Sequence, residues 1–189
     1  MKKVKIIIVS VMMLLLAVGF VFRVVQVNSR YPAAEEVRVN RSESIDFNGI
    51  TYQVTDFRFM TDEELETYQA NVLNPIRTVS NGETQAYKCA LVEVKALNTT
   101  QQEQSARFTY FCLQSGTWRN GIDLNTLMNY DKEGGLYYQL PPGKSVTQIL
   151  AFSFSTRQFK NDRLWQDVEK RNYELVLSLY PVKRVIELS

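Results

Sequence analysis

A predominantly apolar run without a charged residue, with Ser10 as its one hydroxyl side chain, extends from Ile6 to Phe22 and continues, past a single arginine at Arg23, to Val25. As a helix, a segment of about 20 residues spans about 30 Å, which is the hydrocarbon thickness of a bilayer. An arginine this close to the end of a span reaches the headgroups through its long stem. The pattern predicts a transmembrane helix, and the lack of a polar face disfavours a buried core helix.

A cleaved signal peptide is the rival interpretation, because it also combines a basic start with an apolar core. Signal cores are usually about 7–15 residues long, shorter than this run. The candidate cleavage sites are poor, since Ala17-Val18-Gly19 lies within the run and Val27-Asn28-Ser29 lies far beyond its centre. No cysteine follows the run to accept a lipid. An uncleaved anchor is favoured, although cleavage stays open.

Basic residues are concentrated before the run, at Lys2, Lys3 and Lys5, whereas only Arg23 and Arg30 follow it closely. Positive charge is retained on the cytoplasmic side of a span. We therefore predict a single-pass protein of the cell membrane whose C-terminal domain lies outside the cytoplasm. The predicted organisation is an anchor over residues 1–29, a tether over 30–40 and one domain over 41–189.

Alternating apolar positions on both sides of Asn48-Gly49 give the clearest strand signal. Asn-Gly between such runs predicts a two-residue hairpin, because both turn positions need positive φ. The turn would place Phe47 opposite Ile50 and Ile45 opposite Tyr52. Phe57 and Phe59 break the alternation and predict a bulge.

Two short helices and several further strands follow. Thr61 and Glu64 have the spacing of a capping box, which predicts a helix to about residue 71. A loop holding Pro75, Asn81 and Gly82 comes next, a second short helix is predicted over 162–170, and residues 115–135 read as a long surface loop. Further strands are predicted at 87–97, 107–113, 136–140, 146–154, 173–180 and 182–188.

Eight or nine strands separated by turns predict a mainly β domain, an antiparallel immunoglobulin-like β-sandwich with one or two short helical inserts. The core should consist of side chains at alternating positions of these strands. The expected core residues are Ile45, Tyr52, Val54, Val92, Val94, Leu150, Phe152, Leu175 and Leu177.

Composition narrows the possible functions. The chain carries a net charge of +2, but residues 1–29 hold four basic and no acidic residues, which leaves 18 basic and 20 acidic residues outside. Such a domain lacks the basic stripe that nucleic acid needs. The chain has no histidine, so the commonest general base and zinc ligand are absent. We therefore expect no catalytic residues, no cofactor and no metal.

Three segments resemble the DUF4352-like and DUF5028-type immunoglobulin-fold domains of Gram-positive bacteria. They are a strand ending in Asn-Thr (VEVKALNTT, 92–100), a Pro-Gly-Lys-Ser turn opening a strand (PPGKSVTQILAFSF, 141–154) and a closing YELVLSLYP (173–181). The hairpin segment FNGITYQVTD (47–56) fits the first strand pair of such domains. The resemblance implies this fold and a location outside the cytoplasm, and it implies no catalytic residues. This chain differs by the helical inserts near 61–71 and 156–171 and by lacking a lipid-attachment cysteine.

Cys89 and Cys112 would face each other if residues 99–102 closed a hairpin between their strands. A facing pair lies within range of a disulfide, and oxidation is permitted outside the cytoplasm. The alternative is two unpaired thiols that pack as small apolar groups. The sequence leaves both open.

Two groups in the long loop are weighed as binding sites. Asp123, Asn125, Asn129, Asp131 and Glu133 are oxygen donors suited to Ca²⁺, but their spacing misses the calcium-loop pattern, so a solvated loop is favoured.

Loop aromatics can also anchor a protein partner at the outer membrane face, although such residues more often cover a core. These residues are Trp118, Tyr130, Tyr137 and Tyr138.

Three functions remain after this reasoning. The favoured one is a membrane-anchored extracytoplasmic binding module with an accessory, sensory or immunity-type role. The second is a structural subunit of a larger membrane complex. The third, a carboxylate-based hydrolase, is disfavoured because no paired carboxylate motif is present.

Overall fold

A computed structural model describes residues 2–32, 34–72, 86–131 and 134–188. The chain divides into two compact units, Met1–Glu35 and Glu36–Ser189. The first unit holds helix α1, Lys2–Arg30. Its segment Ile6–Arg30 is the one helix in the described part of the chain with the length and hydropathy to cross a membrane, and none of it is buried. A membrane anchor and a signal sequence share this property.

The second unit is built from eleven described strands in three sheets. Each of the strand pairs with a defined register is antiparallel. The five-stranded sheet has the order β1 (Glu35–Asn40), β11 (Val182–Glu187), β10 (Glu174–Ser178), β6 (Cys112–Ser115) and β7 (Trp118–Gly121). The four-stranded sheet has the order β2 (Ser44–Phe47), β3 (Ile50–Phe59), β4 (Tyr87–Asn98) and β9 (Ser145–Ser155), and the third sheet pairs β5 (Gln104–Arg107) with β8 (Tyr137–Leu140).

The two larger sheets pack face to face, which confirms the predicted sandwich. One cluster of buried side chains joins them, because Tyr52, Val92 and Leu150 of the four-stranded sheet share it with Leu113 and Leu175 of the five-stranded sheet. All the core residues expected from the alternation are buried to 4% exposure or less.

The hairpin at Asn48-Gly49 is also confirmed. Phe47 pairs with Ile50 and Ile45 pairs with Tyr52. Asn48 has φ 54° and Gly49 has φ 78°, as the turn requires. The register of β3 against β4 shifts between Val54 and Asp56, which is the predicted bulge.

Helical segments interrupt the strands. Helix α2, Asp62–Val72, begins with the predicted capping box, in which the Glu64 N–H donates to Thr61 Oγ1 at 3.2 Å and the Thr61 N–H donates to Glu64 Oε2 at 2.8 Å. The second predicted insert is helix α4, Asp162–Gln166, between two 3₁₀ turns, Thr156–Gln158 and Val168–Lys170. The loop predicted around Pro75, Asn81 and Gly82 lies outside the described residues.

Three local predictions are wrong. Residues 35–40, expected within the tether, form edge strand β1. The single strand expected at 107–113 is divided by a turn in which the Phe111 N–H donates to the Phe108 oxygen at 2.9 Å. Both rings are fully buried, and a spacing of three cannot place both on one face of a strand. The expected loop 115–135 contains β7 and helix α3, Leu124–Tyr130.

The hairpin that was expected to bring the two cysteines together does not form. Strand β4 pairs with β3 and β9, so Cys89 lies opposite Ser153 in the four-stranded sheet. Cys112 lies in the other large sheet, opposite Val176 and Gly121. Both thiols are free. The chain crosses between sheets after β4, and this crossing removes the facing geometry on which the pairing depended.

Strand β9 is the long edge strand of its sheet, and the chain covers part of its outer edge. The Asp123 N–H donates to the Ala151 oxygen at 2.8 Å. The Asn120 side chain donates to the Ser153 oxygen at 2.6 Å. The segment from β7 to α3 therefore satisfies main-chain acceptors that a bare edge would leave open.

Candidate ligand-binding cleft

A cleft of about 360 Å³ opens at the end of the sandwich that carries the Asn48-Gly49 turn. Its volume falls in the range of small-molecule sites. Aromatic rings and neutral polar groups form most of its wall, together with one charged side chain. The lining residues are Phe47, Asn48, Tyr52, Gln104, Ser105, Arg107, Tyr110 and Phe111.

Two tight turns shape the cleft. A Cβ atom on Gly49 would lie 3.2 Å from both Gln104 and Thr100, so the β2–β3 turn packs closely against the start of β5. The turn between Phe108 and Phe111 buries both rings against Tyr52, with ring centroids 5.8 and 5.2 Å from the tyrosine. It also leaves Tyr110 at the rim, 76% exposed.

Tyr52 fixes the floor of the cleft. Its ring is 2% exposed, and its hydroxyl accepts a hydrogen bond from the Arg107 main-chain N–H at 3.3 Å. Burial raises the pKa of Tyr52, so the hydroxyl stays neutral at physiological pH. The floor is therefore an uncharged aromatic surface.

Arg107 supplies the positive charge. Its guanidinium carbon lies 5.2 Å from the centre of the Tyr137 ring, and no carboxylate among the described residues pairs with it. Hydrogen bonding from Ser105 lowers the pKa of the Tyr137 hydroxyl. The Tyr137 side chain holds the guanidinium by a cation–π contact and a hydrogen bond to the hydroxyl, which leaves the other N–H donors of Arg107 for a ligand.

A second guanidinium supports the wall behind Phe47. Arg184 lies 5.2 Å from the centre of the Phe47 ring, and its Nε donates to the Asp46 main-chain oxygen at 3.1 Å. The Asp46 carboxylate accepts from Thr51 at 2.5 Å. Arg184 thus joins β11 to β2 across the end of the sandwich and fixes Phe47.

The structure does not gather the four aromatics predicted as a partner surface. Trp118 stacks on Phe154 with ring centroids 4.9 Å apart. Tyr138 packs against the core, and its hydroxyl donates to Gln148 at 2.5 Å. Tyr130 lies on α3 and accepts from Arg58 at 2.9 Å, while Tyr137 lies beside the cleft. Of the four, Tyr137 holds a charged residue of the cleft, Arg107, by a cation–π contact.

The oxygen donors that were weighed for calcium, and for which a solvated loop was favoured, serve the local structure. Asp123 caps α3, where Oδ1 accepts from the N–H groups of Asn125 and Thr126, and Oδ2 accepts from Thr126 Oγ1 at 2.6 Å and Ser153 Oγ at 2.5 Å. Asn129 donates back to Asn125 at 2.7 Å. The side chain of Asp131 accepts from Gln148 at 3.1 Å, and Glu133 lies outside the described residues.

Within the described ranges, no cluster of three or more histidine, cysteine, aspartate or glutamate side chains could hold a metal ion. Burial raises the pKa of the Cys89 thiol to about 12, far from the reactive thiolate range. Burial also raises the pKa of Cys112. Cys89 therefore lacks the accessible, electropositive surroundings of a nucleophile, and at Cys112 burial outweighs the effect of the nearby Arg119 and Lys183 charges.

Sequence reasoning missed the cleft, since none of its lining residues was a predicted site residue. One signal was present. Phe108 and Phe111, three apart, could not share one face of the predicted strand, and the resulting turn is what exposes Tyr110. The lack of a carboxylate beside Arg107 has no signature along the sequence.

Fold and cleft together define a small β-sandwich domain with a concave surface site, preceded by an apolar helix. The sequence profile of the DUF5028 family, described as a domain of unknown function, matches residues 28–184. The chain belongs to this family, which confirms that part of the resemblance. The likeness to DUF4352 domains rests on the sequence motifs alone. Among curated proteins, none matches the chain.

Solved bacterial structures are similar to this chain at low sequence identity. The yjhA protein of Bacillus subtilis is 13% identical with a TM-score of 0.49, over 79% of this chain and 98% of that one. A functionally unknown protein from Listeria monocytogenes is 13% identical with a TM-score of 0.45, over 71% and 70%. An uncharacterised β-sandwich protein from Clostridium difficile is 10% identical with a TM-score of 0.44, over 82% and 96%.

Proposed function

We propose that this protein is a non-enzymatic binding module, held at the outer face of a cell membrane by α1, whose ligand site is the cleft beside Tyr52 and Arg107. The observation that carries this proposal is the cleft itself. Aromatic walls, a few polar groups and one cation without a described carboxylate partner are the ordinary composition of a small-molecule site.

The location rests on α1 and its flanking charge. The segment Ile6–Phe22 of the helix carries no charged residue, and three lysines precede this segment. Positive charge on this side favours a cytoplasmic N-terminus and an outward C-terminal domain. The same features support anchorage over cleavage, because the run is longer than a usual signal core.

A reporter fusion tests the orientation. Alkaline phosphatase fused after Ser189 should be active in cells, and a matched fusion with Lys2, Lys3 and Lys5 replaced by Gln should lose activity. Intact mass of the membrane-extracted chain should show an uncleaved N-terminus. An inactive reporter fusion, or a mature chain starting near residue 30, would contradict the anchored arrangement.

The main alternative is a structural subunit of a larger membrane complex. Gentle detergent extraction followed by size-exclusion chromatography separates the two proposals. A binding module should elute as a monomer in its micelle. Constant-ratio co-elution with other membrane proteins would favour the subunit.

A further inference from the structure

We infer that the cleft takes a small carboxylate whose charged group pairs with Arg107 and whose flat apolar body lies against the accessible rings of Phe47 and Tyr110. This inference rests on the proposed function, and it adds the chemical class of the ligand. Three observations support it: the charge balance of the lining, the position of the guanidinium and the exposure of Tyr110.

The charge balance favours an anion. Among the described residues that line the cleft, Arg107 is the one with a charge, and none is a carboxylate. The nearest acidic side chain of the hairpin, Asp46, is turned onto Thr51. A ligand that carries one negative charge would therefore neutralise the cleft, and a cation would not.

The geometry of Arg107 favours a planar anion. Its side chain is exposed but stacked on Tyr137, so part of its conformational freedom is already lost before a ligand binds. A guanidinium presents parallel N–H donors that match the two oxygens of a carboxylate. Other donors, the amides of Asn48 and Gln104, lie in the same wall.

The aromatic residues favour an apolar body on that anion. Tyr110 is 76% exposed. Phe47, which is partly exposed, also lines the cleft, so two accessible rings are available to the body of a ligand, whereas Tyr52 and Phe111 are buried and support them from below the surface. A flat ligand ring fits such a site by offset or edge contacts.

Three probes separate charge from shape, and phenyl phosphate, added as a competitor, tests the class of anion. The full chain is reconstituted in phosphatidylcholine nanodiscs, and binding of 4-fluorobenzoate is followed by ¹⁹F relaxation against empty nanodiscs. The neutral analogue 4-fluorobenzamide and the body-free anion acetate, used as a competitor, are the comparisons. We expect millimolar binding of 4-fluorobenzoate, as is usual for a probe of this size, with at least tenfold weaker binding of the other two.

Matched variants assign the site. Arg107→Gln should weaken the binding of 4-fluorobenzoate at least tenfold. Arg107→Lys should have an intermediate affinity, because lysine keeps the positive charge but lacks the parallel N–H donors of the guanidinium. Tyr110→Ala changes an exposed side chain outside the core and should weaken the binding of 4-fluorobenzoate about threefold or more. Arg119→Gln, at an exposed arginine of β7 outside the cleft, should change nothing.

Four outcomes would contradict the expected binding and overturn the inference. Equal binding of the benzamide and the benzoate, with a loss in Tyr110→Ala, keeps the cleft as a ligand site and refutes its anion preference. Unchanged binding in Arg107→Gln refutes the assigned partner, and tighter binding of phenyl phosphate refutes the carboxylate class. Binding of no probe refutes the inference outright, while the reporter fusion, which does not depend on the cleft, still decides the membrane arrangement.

Discussion

The side-chain amide of Asn98 donates to the main-chain oxygen of Leu140 at 2.7 Å, across 42 positions of sequence. The same amide donates to the Gln102 oxygen at 2.7 Å, and Oδ1 accepts from the Thr100 N–H at 2.9 Å. The main chain of Asn98 also exchanges hydrogen bonds with Gly143 and Lys144. The Asn-Thr strand end and the Pro-Gly-Lys turn, two of the segments that carry the family resemblance, are therefore one structural unit beside the cleft.

Replacing Asn98→Ala should lower the free energy of unfolding by about 3 kcal/mol, because buried main-chain oxygens lose their donors. Asn98 is fully buried, so water cannot replace the lost amide freely. Urea unfolding of the full chain in nanodiscs measures the effect. Thr99→Ala, at the exposed next position, is the control, and equal losses from the two variants would contradict the role given to Asn98.

Gly49→Ala should destabilise the protein by about 1–2 kcal/mol from the positive φ alone, and by more because the new Cβ meets Gln104 and Thr100 at 3.2 Å. Gly116→Ala measures the cost of positive φ by itself, since Gly116 has φ +59° and no described atom lies within 4 Å of the position that its Cβ would occupy. Thermal melting compares them. A smaller loss at Gly49 than at Gly116 would show that the hairpin does not pack on β5.

Glu64 should contribute a pH-dependent share of the stability. Its two oxygens accept from Arg58 at 2.7 Å each, and the pairing with Arg58 lowers its pKa from 4.5 to about 2. The charged form is thus favoured by folding, so the contribution is present above about pH 4.5 and is lost as the pH falls toward 2. Both side chains are about one-third exposed, which limits the effect to about 1 kcal/mol.

Comparing Glu64→Gln with wild type in urea at pH 7, 4.5 and 2 measures this contribution. The variant should be less stable at pH 7, and the difference should shrink toward zero at pH 2. Glu63→Gln, in the same helical turn and outside the Arg58 ion pair, should show no such trend. A difference that is constant with pH would assign the loss to the cap and not to the ion pair.

The two cysteines should behave as free thiols of unequal access. Native protein treated with iodoacetamide at pH 8 should leave Cys89 unmodified, because that thiol is 2% exposed with a raised pKa. In guanidinium chloride without a reductant, both cysteines should be alkylated, and intact mass counts the adducts. Alkylation that requires a reductant would instead reveal a disulfide.

Alternation of apolar and polar residues was sufficient to predict the hairpin and the core. One face of each long strand is buried, and a shift of register by one residue would turn its apolar side chains to the solvent. It failed where packing decided the structure. Edge strand β1 has no alternation of buried and exposed residues. Arg38 attaches it to the sheet by ion pairs with Glu187 of β11 and Glu174 of β10. Helix α3 has only seven residues, too few for a periodic signal, although Asp123 at its start was a usable N-cap signal.

The cleft was beyond sequence reasoning for a different reason. Its walls come from β2–β3, β5 and the turn before β6, which are brought together by the crossing from one sheet to another after β4. The expected hairpin after β4 placed these segments elsewhere. Whether an arginine has a carboxylate partner is settled only by that three-dimensional arrangement.

The hydrogen bonds that the β7–α3 segment makes to the outer edge of β9 have a consequence for neighbouring copies of the protein. An eleven-residue edge strand is a template on which a second chain can add a strand and begin a fibre. Here the Asp123 main chain and the Asn120 side chain already occupy acceptors at Ala151 and Ser153. These bonds block part of the longest described edge strand, so a second copy of the protein cannot pair with β9 along its full length.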